Sequence, residues 1–342
     1  MKLEQKAAYL ICASLVILFS ILSTDVKASA LPVNEIYHIA ADFSVAAYKN
    51  QKMVESLRSQ GWDVKAYSFK LNLMQIKQQI ENNPNFVFMK GLRTTQELLY
   101  ESAAEYNDYL NTNSMHFPDT EKSFLSLNNI NNMSTMLKTA DPLIDQHFGY
   151  AVGKKTIDNR NVYVISFRGT SDKWSWIFSD FLAVPLKFLD TNTYVHTGFE
   201  WNRQACMNSS LLNNFVKEIK TDQSNPCVII TGHSLGAAVA VLESAFLVEK
   251  QYVKPENLYL IPLAEPCPGR SDFVDYFKHK LKNYTWFCNK LDPVPYLPLS
   301  VGYRHFGKKI SFNKPPSDLW ERFEVFKWHD ILLYYKYIKG RR

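Results

Sequence analysis

Apolar positions fall into two regimes along the chain. Up to about residue 145 they recur mainly at helical spacing; beyond it they gather in short β-branched and aromatic runs between helical stretches. Cys227-Val228-Ile229-Ile230 is apolar on both faces, as a central parallel strand requires. A turn, Thr231-Gly232-His233-Ser234-Leu235-Gly236, follows it. Residues 237–245 are then small helix formers whose apolar surface continues through Phe246 and Leu247. The pattern predicts further strands over 148–152, 161–167, 258–264 and 284–287, the first two joined by 154–160 with Asp158-Asn159 inside it. Helices are expected from Phe199 to about Lys220, over 272–281 and over 331–338.

The first half reads differently. Phe43, Ala46, Ala47, Val54 and Leu57 mark an amphipathic helix over 42–58 that Gly61 ends, and 62–69 reads as a short strand. Residues 71–81 look helical up to Asn82-Asn83-Pro84, and 86–89 is a small apolar run. Thr94 and Glu97 form a capping box before a helix over 96–110. Residues 111–145 are polar loop with one short helix near 133–137. Alternation of strands and helices after 145 implies an α/β chain with a mostly parallel central sheet and helices on both faces.

Composition narrows the class. The 342 residues are 46% hydrophobic and 14% aromatic, enough for one large core rather than two small ones. The net charge of +6 is spread evenly, and no basic run is dense enough to serve nucleic acid. Lys336, Lys339, Arg341 and Arg342 suit a solvated helix end, or contact with an anionic lipid surface. Lys2 and Lys6, the apolar run 7–22 and Ala28-Ser29-Ala30 read as a signal peptide, 1–30, cleaved after Ala30. An uncleaved anchor is the alternative. A secreted domain, 31–342, is therefore expected. Cys206, Cys227, Cys267 and Cys288 remain in it, and sequence leaves disulfide pairs and free buried thiols equally open. Their spacing fits no zinc site.

The turn carries candidate chemistry. In Gly232-x-Ser234-x-Gly236, between a strand and a helix, the glycines permit close strand–helix packing and leave Ser234 at the tip as a nucleophile. A serine hydroxyl needs a base to take its proton and a carboxylate to orient that base. Downstream, Asp292 follows a predicted strand and is the expected acid. His305 and His329 are the only later histidines, and His305, within Tyr303-Arg304-His305-Phe306, is assigned to a structural or surface role. The backbone N–H of Leu235 is one expected oxyanion donor. His196 and His233 are assigned to packing or turn hydrogen bonds, and Arg168 to a structural ion pair.

Several motifs occur in order: Phe167-Arg168-Gly169-Thr170, His196-Thr197-Gly198-Phe199, Thr231–Gly236, Asp292-Pro293-Val294-Pro295 and His329-Asp330 with Tyr334. Together they resemble the fungal-type class 3 triacylglycerol lipases, an α/β-hydrolase family, over about 148–335. The resemblance assigns His329 as the base, Thr170 as the second oxyanion donor and Asp180 as the group holding the Thr170 side chain. A helix cap is the plainer use of Thr170. Residues 71–145 depart from the family pattern and are read as a helical N-terminal insertion. The apolar stretch Trp174, Trp176, Ile177 and Phe178 resembles the family's lid, about 171–189; an ordinary core helix would show the same pattern.

The implied function is hydrolysis of acylglycerol esters at a lipid interface, with transient contact to a membrane or emulsion surface and neither cofactor nor metal. A phospholipase A1 or an aryl or feruloyl esterase would use the same residues. An acyltransferase would replace water by another alcohol. A non-catalytic binding protein on the same fold is the reading from another class. Nothing in the sequence sets an oligomeric state.

Overall fold

The computed structural model describes residues 31–71, 146–170, 185–296, 302–317 and 325–341. Helix α1 (Val33–Ala46) and helix α2 (Gln51–Ser59) replace the single helix expected over 42–58. The chain breaks between them because Lys49 takes φ 56° and Asn50 caps α2, its side chain accepting from the Met53 N–H at 3.1 Å. The apolar phase runs unbroken across this corner, so periodicity alone could not reveal it.

Strand β1 (Asp63–Leu71) pairs antiparallel with β2 (Gln146–Ile157), which pairs antiparallel with β3 (Arg160–Phe167). Asp158 and Asn159 have φ of 48° and 62°, so the expected seven-residue connection is a two-residue turn and both strands extend to meet it. Next come β4 (Pro185–Lys187), β5 (Tyr194–His196), α3 (Thr197–Met207), α4 (Ser210–Thr221) and β6 (Cys227–His233). The helix expected to run from Phe199 to Lys220 is thus two, separated at Asn208-Ser209. Then follow α5 (Leu235–Glu249), β7 (Leu258–Leu263), β8 (Gly269–Arg270), α6 (Ser271–Phe277) and β9 (Asn283–Asn289). Strands β10 (Tyr303–Arg304) and β11 (Lys308–Phe312) precede the closing helix α7 (Ile331–Lys339).

The main sheet has the order β1-β2-β3-β6-β7-β9-β11, and every pairing from β3 to β11 is parallel. Strand β11 escapes the pattern because only Ile310 and Phe312 are apolar in it; an edge strand need cover one face only. A second, small sheet joins β10, β8, β5 and β4.

Helices cover both faces of the main sheet. Val228 and Ile230 of β6 belong to one core cluster with Val239, Val241 and Leu242 of α5 and Phe199 and Ala205 of α3. Thr231 points the other way and meets Ser44 of α1, Oγ1 to Oγ 3.0 Å. Helix α7 packs on α1 on that side. This is the α/β-hydrolase architecture: the parallel strands end at one edge, and loops leaving that edge can share a site.

Leu71 and Gln146 are register partners at the ends of β1 and β2. Residues 72–145 therefore leave and re-enter the sheet at adjacent positions, as an excursion between paired strands. The helices, apolar run and loop expected within them lie outside the described residues, as do the signal 1–30 and residues 171–184 of the lid stretch. Lid-stretch residues from 185 onward are described, and Phe188 there is fully buried.

Replacing Ile230 by Ala, in a strand with no exposed residue, should cost about 2–5 kcal/mol of stability, read by chemical denaturation.

Candidate active site

The β6–α5 turn is a strained elbow. Ser234 sits at φ 61° and ψ −133°, a backbone conformation that side-chain-bearing residues avoid. Bonds on both sides hold it there. The Ser234 N–H donates to the Leu263 carbonyl of β7 at 3.0 Å, and the Ala237 N–H donates to the Ser234 carbonyl at 2.8 Å. The flanking glycines are required by contact. A Cβ on Gly232 would lie 2.3 Å from the Gly236 carbonyl oxygen, and one on Gly236 would lie 2.2 Å from that of Phe167. The helix starts so close to the strand that neither position has room for a methyl group. Ser234 itself is 3% exposed, so the tip of the elbow is buried among the described residues.

The loop after β3 leans on this elbow. A Cβ on Gly169 would stand 2.9 Å from the Ser234 Cβ. Thr170 is the next residue and is half-buried. Leu235 is the first residue of α5, and the opening N–H groups of a helix have no partner within it. Two potential donors thus flank Ser234 from different loops. Asp180, Trp174, Trp176, Ile177 and Phe178 lie outside the described residues.

Asp292 follows β9 at the same edge and has no solvent exposure. Its Oδ1 accepts from the Val294 N–H at 2.9 Å, and its Oδ2 accepts from the Tyr334 hydroxyl at 2.5 Å and from His329 Nδ1 at 2.8 Å. His329 ends a 3-10 turn, Val325–His329, and Asp330 beside it caps α7 by accepting from the Leu332 N–H. With Nδ1 donating to a carboxylate, the neutral ring carries its lone pair on Nε2. That nitrogen is buried and makes no hydrogen bond among the described residues. Asp292 and His329 are therefore in direct contact. Ser234 makes no hydrogen bond to His329; the ring of its neighbour His233 lies 4.6 Å from the His329 ring. Such bonds are often loose until substrate is bound.

Side chains around the pair were only partly foreseen. His233 Nδ1 meets the Tyr48 hydroxyl at 2.9 Å. Burial first, and the His329 ring second, hold the His233 imidazole well below its usual pKa, so it is neutral. Burial and the Asp292 carboxylate push the Tyr334 hydroxyl well above its usual range, so it remains a donor. Asn289 donates to the Lys314 and Trp328 carbonyls at 2.9 and 3.2 Å, tying the end of β9 to the segment that carries His329. Its signal was proximity to Asp292 in sequence; that of Tyr48 was a faint likeness of residues 42–48 to the family's first helix, which gave the tyrosine no role. His196 caps α3, accepting from the Gly198 N–H at 3.1 Å. Arg168 does not form the expected ion pair among the described residues; its guanidinium lies 5.7 Å from the centre of the Tyr48 ring. The four cysteines among the described residues, Cys206, Cys227, Cys267 and Cys288, are free and buried, and burial raises the Cys206 and Cys227 thiols to about 12, which leaves them poor nucleophiles.

Residues 164–302 match the family Lipase (class 3). Over this segment the chain is similar to that family. It is 26% identical over 213 residues to the secreted mono- and diacylglycerol lipase A of Penicillium cyclopium, covering 62% of this chain and 64% of that one. It is 30% identical over 165 residues to a lipase of Rhizomucor miehei, covering 47% of this chain and 45% of that one. The chain spans less than two thirds of the length of either relative. A solved Rhizomucor miehei triacylglyceride lipase aligns with a TM-score of 0.42 at 28% identity, over 48% of this chain and 61% of that one.

Tyr334→Phe removes a donor from the buried Asp292 carboxylate. It should lower stability at neutral pH by roughly 1–3 kcal/mol, measured by urea unfolding.

Proposed function

We propose that the protein is a secreted serine hydrolase of acylglycerol carboxylic esters. One observation carries the reading: the buried Asp292 carboxylate holds the His329 imidazole by Nδ1, leaving Nε2 basic, at the sheet edge where Ser234 occupies a strained elbow. The relatives' names, secreted mono- and diacylglycerol lipase and lipase, support the substrate class and the compartment.

In this reading His329 Nε2 takes the Ser234 proton as Oγ attacks the ester carbonyl carbon. The carbonyl oxygen becomes an oxyanion and is met by the Leu235 N–H and by Thr170. The imidazolium returns the proton to the departing glyceryl oxygen, and the acyl group stays on Ser234. Water then attacks, giving its proton to His329; the fatty acid leaves and Ser234 recovers its hydrogen. Asp292 stabilises the imidazolium in both halves without being protonated itself. Trp174, Trp176, Ile177 and Phe178 would supply the apolar cover that turns onto lipid, and the partner surface would be an emulsion or membrane face.

Ser234→Ala should lose on the order of 10⁴-fold or more in turnover while the fold survives. Fatty-acid release from triolein, phosphatidylcholine and soluble nitrophenyl esters checks the substrate class. Preference for emulsified acylglycerol supports it, and equal rates on soluble esters and emulsions would remove interfacial lipolysis from the reading.

A further inference from the structure

A second histidine is built into the loops at this edge, and the mechanism above gives it no task. His305 lies between β10 and β11, with its ring stacked on Trp286 at 4.2 Å. Its Nε2 is 2.6 Å from the Pro295 carbonyl oxygen, and its Nδ1 is 3.2 Å from Glu265 Oε1. Glu265 has no solvent exposure, and its other oxygen accepts from the Tyr284 hydroxyl at 2.5 Å.

The geometry constrains the protons. A carbonyl oxygen can only accept, so Nε2 carries hydrogen. A buried carboxylate facing Nδ1 is stable only if that nitrogen donates as well. Both conditions hold together only in the imidazolium; each neutral tautomer breaks one of them. Burial alone would push the ring down. Hydrogen bonds and charge from Cys267 and Glu265 together outweigh it and hold His305 well above its usual pKa. The titratable or charged groups around it are Glu265 and Cys267 after β7, Tyr284 and Cys288 on β9, and Lys309 of β11 across the Trp286 ring.

Pro295 belongs to the 3-10 turn Val294–Tyr296, whose Val294 N–H holds Asp292 Oδ1. We infer that His305 is a positioning residue: donating from both ring nitrogens, it fastens the turn that orients Asp292 to Glu265 at the end of β7. This rests on the triad reading above. When the ring loses a proton, one nitrogen presents a lone pair to an oxygen and that side of the strap releases. A histidine raised in the folded state stabilises fully at pH below its ordinary value of about 6.5 and stops doing so as pH rises through the raised value. The strap therefore acts on the alkaline side.

The test is the pH dependence of kcat and KM on a soluble nitrophenyl ester for wild type and Glu265→Gln, beside the NMR titration of the His305 ring in the wild-type chain. We expect His305 to titrate about one pH unit or more above 6.5. We expect Glu265→Gln to move the alkaline limb of kcat to lower pH by about as much, leaving the acid limb and KM in place. A His305 that titrates at or below its ordinary value overturns the proposal whether or not the variant folds. So does a wild type that reacts with a fluorophosphonate at Ser234 while the variant's alkaline limb stays put. A wild type that neither reacts nor turns over removes the triad reading and this proposal together.

Discussion

A carboxylate taken wholly out of water has to be given donors by the protein, and Asp292 is such a group. An unpaired charge there would cost several kcal/mol, so the surrounding chain is fixed by the need to serve it. Its donors come from three places: the Val294 N–H of its own turn, the Tyr334 hydroxyl on α7 and the His329 ring just before α7. Docking of α7 against the sheet and orientation of the imidazole are thus one structural event. Asn289 reinforces it, because its amide bridges the Lys314 and Trp328 backbone from the end of β9. Removing any one donor would leave the others serving a less satisfied charge.

The elbow on the neighbouring strand is held by a different force. No charge is involved; the constraint is distance. The Gly232 and Gly236 positions touch backbone carbonyls closely enough to exclude a methyl group, and this proximity is what places Ser234 at positive φ. The strain is tolerable because β6 is entirely buried, with about 2 kcal/mol from each of Val228, Ile229 and Ile230 anchoring the strand that leads into it. A stiff apolar strand, rather than local hydrogen bonding alone, keeps the serine's backbone from relaxing.

Much of this could be read in the sequence, and what could not has physical reasons. β6, α5 and α7 announce themselves because their apolar patterns are long and their neighbours are turn residues. Asp292 and His329 were found by chain order and by resemblance, and they meet at 2.8 Å. The break between α1 and α2 was hidden because a corner at Lys49-Asn50 leaves the hydrophobic phase intact. β11 was hidden because an edge strand needs only alternate apolar residues, and two in five suffice. Two paired strands of only two residues each, β8 and β10, carry no periodic signal at all. The pairings made by Tyr48, Glu265 and His305 were out of reach for a deeper reason. Each is polar in a buried place, and sequence shows polarity without showing what lies opposite.

The histidines at this edge show how surroundings divide one side chain among several tasks. His233 is fully enclosed, its Nδ1 meets a hydroxyl and another imidazole lies against its face, so the neutral form is the one the site accommodates. His305 is also largely enclosed, yet its two nitrogens face a carbonyl and a carboxylate, and the same burial that neutralises His233 is outweighed there by Cys267 and Glu265. His329 stands between these cases: one nitrogen is engaged by Asp292 and the other makes no hydrogen bond among the described residues. His233 is the most deeply buried of the three and the other two keep some exposure, so burial and the acceptors each ring meets act together. The acceptors differ in number: none that requires a charge at His233, two at His305, one at His329. Only the ring with one acceptor keeps a lone pair to spare and a carboxylate to steady the charge it would gain, which is the condition a general base must meet.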